Sequence, residues 1–155
     1  MYLQLKLFAD FFQFELRDEA SQSDLSVEWN ELSVRDLLVT STDAIGIGTV
    51  RDSYVRVEIC VEAAMPNADN LDHWDQIVDC DVEINSGRLA VIDGESYLPT
   101  AIRIDVQPHL YRARIFYGEL ASFDPSERTG FDHYKVVLWP SEQTFGVELL
   151  KRWRR

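Results

Sequence analysis

The sequence predicts an all-β protein: a two-layer antiparallel β-sandwich of 8–9 strands with one short helix near residues 30–39. Three observations carry this. Apolar and polar residues alternate with period two along most of the chain. Clusters of Gly, Pro, Asn, Asp and Ser interrupt the alternation at short intervals. Only one segment carries helix signals, too few to cover a parallel sheet, which excludes a doubly wound α/β fold. At 46% apolar and 12% aromatic, the 155 residues can fill one core. The expected organisation is one domain over residues 1–150 and a basic tail over residues 151–155.

The first strand is read from Leu3, Leu5 and Leu7 against Gln4 and Lys6, the second from Phe12, Phe14 and Leu16 against Gln13, Glu15 and Arg17. Asn30 can cap a helix running to about Val39, with Glu31 in its first turn where the helix dipole favours a negative charge. Gly46 and Gly48 alternate within Ala44–Val50. They lack the third glycine and following helix of a nucleotide loop, so they predict close packing of a ring or backbone. Val55, Val57, Ile59 and Val61 make the next strand. A loop at 63–73 follows, then Val78, Cys80, Val82 and Ile84 against Asp79, Asp81 and Glu83. Asn85-Ser86-Gly87 predicts a hairpin into Arg88–Ile92. Further strands are expected at Ile102–Val106, Leu110–Tyr117 and Tyr134–Leu138, with a short one within 144–150. Cys60 and Cys80 fall on opposite faces of their strands, which predicts two free thiols.

Charge is distributed unevenly. Residues 1–87 hold 18 acidic and 5 basic side chains, whereas residues 88–155 hold 9 and 10, for an overall −12. Between Arg56 and Arg88 stand eight carboxylates and no lysine or arginine: Glu58, Glu62, Asp69, Asp72, Asp75, Asp79, Asp81 and Glu83. Such a chain repels nucleic acid and anionic membranes and attracts cationic partners. Asp79, Asp81 and Glu83 are expected on one strand face, where they can mimic a row of phosphates or simply keep an edge soluble. Arg112 and Arg114 project together and can pair with that strand. The start of the chain has neither a basic leader nor a long apolar run, which predicts a cytoplasmic protein.

Several stretches taken in order (Phe11-Phe12-Gln13-Phe14, Glu28-Trp29, Ala44 to Thr49, Trp74 to Gly87, Tyr111 to Tyr117, Tyr134 to Pro140) resemble uncharacterised bacterial β-sandwich proteins. They are also similar to the competence-J-like family, known for a small acidic protein that inhibits a secreted DNA-entry nuclease. The resemblance spans residues 8–140 and implies a protein partner, such as a nuclease, held by an acidic inhibitor. It brings no catalytic residues.

Other chemistry finds little support. Asp69, Asp72, His73 and Asp75 lack the spacing of a calcium loop. His73, His109 and His133 are isolated, and no Cys-x-x-Cys or Gly-x-Ser-x-Gly motif occurs. No catalytic residue, metal or cofactor is expected. The predicted function is that of a non-enzymatic acidic binding protein, an inhibitor or immunity-type protein masking a basic partner such as a nuclease. Its contact residues would be Glu58, Glu62, Asp72, Asp75, Asp79, Asp81 and Glu83. The alternative is a ligand-binding β-sandwich module for a saccharide or small polar molecule, using Trp74 or Trp139. Oligomeric state is not read from the sequence.

Overall fold

A computed structural model describes residues 1–67 and 71–155; Asp69 lies outside them. Two sheets face each other across one core. The first is ordered β1-β5-β10-β9-β6-β11: β1 (Tyr2–Phe8), β5 (Tyr54–Val61), β10 (His133–Pro140), β9 (His109–Gly118), β6 (Gln76–Ile84) and β11 (Glu148–Lys151). The second is ordered β3-β4-β2-β7-β8: β3 (Leu38–Ser41), β4 (Ala44–Gly48), β2 (Gln13–Asp18), β7 (Arg88–Ile92) and β8 (Ile102–Asp105). The two-sheet sandwich is therefore as predicted, with eleven strands among the described residues where eight or nine were expected. All pairings are antiparallel except β5 with β10.

The inward half of each alternating strand fills the core. Phe14 and Leu16 of β2, Ile45 and Ile47 of β4, Val57 and Ile59 of β5, and Val78, Cys80, Val82 and Ile84 of β6 are all buried there. Each buried aliphatic side chain contributes about 1.5–3 kcal/mol relative to exposure. Cys80 lies in this core, where burial pushes its thiol far above the ordinary range, while Cys60 lies on the outer face of the first sheet. Both are free.

Three expectations change. Asn85-Ser86-Gly87 does not close a hairpin: β6 pairs with β9 and β11, and β7 with β2 and β8. The turn carries the chain from one sheet to the other, with Gly87 at φ +75°. Buried Asp18 pins it by accepting the Ser86 N–H at 2.8 Å. Alternation allows either route, because Ile84 and Leu89 face the same core in both.

The helix, α1, runs only over Glu31–Asp36. Asn30 caps it as expected, accepting the N–H groups of Leu32 and Ser33 at 2.9 and 3.1 Å. Left-handed Leu37 (φ 57°) ends it, and Leu38 and Val39 enter β3 because each fills a buried apolar cluster. α1 buries no residue of its own and is held from its end. The Tyr117 hydroxyl donates to the Leu37 carbonyl at 2.6 Å, and the Gln76 amide to the Asp36 carbonyl at 2.7 Å.

Phe12, expected to open β2, precedes it. Phe11 and Phe12 are both left-handed, at φ 54° and 62°, and the two residues are 79% and 52% exposed.

Candidate partner-binding surface

β6 places Asp79, Asp81 and Glu83 on the outer face of the first sheet, as the alternation requires, but not as a bare row. Register sets Asp79 opposite Arg114 and Asp81 opposite Arg112 on β9. Arg114 grips Asp79 with two hydrogen bonds, Nε at 2.8 Å and Nη2 at 2.9 Å, and both side chains are buried. The guanidinium also lies 5.4 Å over the Trp139 ring. Asp81 takes Arg112 Nη1 at 2.8 Å together with the N–H groups of Phe145 and Gly146, and Arg112 goes on to Glu148 at 3.0 Å. The central carboxylates thus fasten β6 to β9 and to the segment leading into β11. Asp75 is likewise engaged, accepting the Leu120 N–H at 2.7 Å.

The remaining candidates do meet solvent. Glu62 and Asp72 are exposed; Glu58 and Glu83 are half-buried at the surface. At one end of this face stand two cations instead: Lys6 and Arg56 form one cross-strand row with His133 along a groove of about 610 Å³ that Glu58 also lines.

Neither predicted aromatic presents a ligand surface. Trp139 is buried, and half-buried Trp74 packs its ring on Phe116 and His133 at 5.1 and 5.0 Å. Both belong to the apolar cluster covering the outer face of the first sheet. Neither lines the groove beside Lys6 and Arg56 or the one beside Phe11 and Trp29.

The aromatic concavity lies elsewhere. A groove of about 790 Å³ opens between the β1–β2 turn, the end of α1 and the C-terminal tail. Phe11 and Phe12 form one wall, Trp29, Val34 and Leu37 another, and Trp153 with Arg155 the third. Its floor includes Gly48, where a side chain would strike the Leu37 Cα at 3.0 Å; the glycine lets the left-handed helix end cross the strand. Trp29 is oriented by its indole N–H, which donates to Gln13 Oε1 at 2.7 Å. The tail that carries Trp153 is docked. Lys151 is the last residue of β11, Arg152 pairs with Asp36 at 2.9 Å, and the Trp153 N–H donates to Gln76 Oε1 at 3.3 Å.

From the sequence this region reads as strand, short helix and basic tail, with no groove among them. The available signal was Phe11 beside Phe12, one aromatic more than an alternating strand can bury, and a tryptophan inside a basic tail. Among the described residues no group of three or more His, Cys, Asp or Glu is arranged to hold a metal ion. Among the same residues no helix is long and apolar enough to cross a membrane.

No known family profile matches the chain, and no curated protein matches it either. Solved structures do. The fold resembles that of ComJ. That Bacillus subtilis protein, an inhibitor of the DNA-degrading activity of NucA, superposes with a TM-score of 0.66 at 11% identity, over 91% of this chain and 96% of its own. The product of crocagin biosynthetic gene J matches with a TM-score of 0.60 at 14% identity, over the same shares. At these identities the likeness is one of fold.

Proposed function

We propose that this chain is a non-enzymatic inhibitor or immunity-type protein of the cytoplasm that masks a basic partner protein, a nuclease above all. The observation that carries the reading is the ComJ-like fold across nearly the whole chain, in a protein whose formal charge is −12. Exposed Glu62 and Asp72, with Glu58 and Glu83, supply negative potential that steers a cationic partner, whereas Asp79 and Asp81 hold the sheet together.

The test is inhibition of DNA degradation. Basic proteins from the source organism are captured on the immobilised chain, and each captured nuclease is assayed with and without the free chain. Inhibition at equal stoichiometry, with affinity falling steeply as salt rises, is expected. Failure to inhibit any captured nuclease, or a complex insensitive to salt and to Glu62→Lys with Asp72→Lys, would overturn it.

A second reading, a ligand-binding module, is favoured by one observation. The groove beside Trp29 and Trp153 has the volume of a small-molecule site. Thermal stabilisation by a saccharide panel would support it.

A further inference from the structure

We propose that the free edge of β1 binds an extended segment of a partner protein, which adds to the first sheet as a further strand with a carboxylate opposite Lys6. This site is separate from the exposed acidic residues of the preceding reading and selects the opposite charge.

The backbone is the first argument. β1 has seven residues, whereas β3, β8 and β11, at the other three sheet margins, have four each. Its odd-numbered residues turn their backbone groups towards β5. The Val61 N–H donates to the Met1 carbonyl at 3.0 Å, and the Ala9 N–H to the Ser53 carbonyl at 2.8 Å. The even-numbered residues therefore turn theirs outwards. Phe8 shows the same phase: its N–H donates to Asp93 Oδ2 at 2.9 Å, and its carbonyl accepts the Gly94 N–H at 2.8 Å. Among the described residues the outward N–H and C=O groups of Tyr2, Gln4 and Lys6 meet no such partner, and all three residues are exposed. A row of this kind is a template for an extended peptide.

The two faces of the edge select the side chains. On the inner face Leu3 and Leu5 pack against the core yet stay half-buried, so apolar residues at alternate positions of an added strand complete their cover. On the outer face Lys6 stands opposite Arg56 in a non-hydrogen-bonded pair, where cross-strand side chains come closest and like charges destabilise. Both are exposed. Among the described residues neither forms an ion pair, whereas the other strand arginines, Arg17, Arg88, Arg103, Arg112 and Arg114, all do. A lysine on a margin guards against aggregation, but Arg56 lies one strand in, where no edge needs guarding. Lys6 Nζ rests 4.9 Å over the Tyr54 ring instead of on an anion.

Glu58 lines the same groove but belongs to the next row, between Gln4 and Lys135, so the positive end is at Lys6. A carboxylate opposite Lys6 supplies the missing counterion. The sheet uses the same arrangement at its centre, where Asp79 and Asp81 of β6 face Arg114 and Arg112. The rest of the chain's negative charge opposes this weakly, since salt at about 0.15 M screens exposed charges beyond about 8 Å.

The test uses the full isotope-labelled chain and follows the backbone amide signals of Tyr2, Gln4 and Lys6. The probes are the capped peptides Val-Thr-Val-Glu-Val and Val-Thr-Val-Lys-Val, which differ in one residue. The glutamate peptide should shift the three amides saturably and slow their exchange with solvent, and it should bind about tenfold more tightly than the lysine peptide. Lys6→Glu, an exposed change, should reverse that preference. Gln4→Pro removes an outward N–H that the fold does not use, so the unfolding temperature should hold while binding is lost. Equal binding of both peptides, or shifts at the Lys6 and Arg56 side chains with the three amides unmoved, would overturn the proposal. So would amides already protected without peptide in a chain that sediments as a dimer, because a second copy would then hold the edge.

Discussion

The outer face of the first sheet and the groove beside α1 both depart from what their sequences suggest. The acidic strand looks like a contact surface, yet its centre is neutralised by Arg112 and Arg114 and covered. By alternation Phe12 looks like core, yet it and its neighbour Phe11 are exposed. The difference teaches that charge in a sequence is not charge on a surface. A carboxylate acts on a partner only when the fold has not already supplied its counterion.

The largest expected effect breaks the acidic face. Asp79→Ala leaves Arg114 buried without its partner and should cost about 3–5 kcal/mol in urea unfolding. The paired change Asp79→Leu with Arg114→Met should recover most of that loss, because an apolar pair of similar volume needs no counterion. A small cost for Asp79→Ala would mean the pair is solvated and the contrast between the two regions false.

Smaller effects sharpen the groove side. Tyr117→Phe removes the hydroxyl that holds the end of α1 and should cost about 1 kcal/mol, read by thermal unfolding. Asn30→Ala removes the cap of the same helix and should also cost about 1 kcal/mol. Both should broaden the amide signals of Val34 and Leu37 and leave those of β6 sharp.

The smallest effect concerns pH. Burial alone would raise the carboxyl of Asp36, but hydrogen bonds from Arg152 and Arg35 outweigh it and hold the group below its ordinary value. A carboxyl depressed by folding contributes stability above its unfolded value and loses it as pH falls through the folded one. The tail should therefore loosen in acid, seen as a shift of the Trp153 indole signal below about pH 4, and Asp36→Asn should abolish that transition. Because Asp36 is partly exposed, solvent screens this interaction and the effect on global stability should be slight.

Much of the fold was legible. Inward residues of β1, β4, β5, β6, β9 and β10 follow from alternation, as do the opposite faces of Cys60 and Cys80, and Asn30 announces the helix start. The predicted hairpin at 85–87 failed because a turn that stays in one sheet and a turn that crosses to the other present the same side chains to a shared core. The helix end was misplaced because Leu37, Leu38 and Val39 suit either an apolar helix stripe or a strand between two clusters. The site was the least legible part. Trp139 stands at a strand position that looks half-solvated until the Arg114 guanidinium covers it, and Trp74, just before β6, looks like a loop residue until it packs on Phe116 and His133.

By itself the sequence determined which side chains turn inward, and hence a two-sheet sandwich with one core, because alternation is a local property of an extended chain. Only the tertiary structure decided which carboxylates meet a cation and which rings meet water. Asp79 and Arg114 are 35 residues apart, and Phe11 and Trp153, which line one groove, are separated by nearly the whole chain. Local periodicity cannot encode such encounters; they come from register and sheet order, which long-range packing sets.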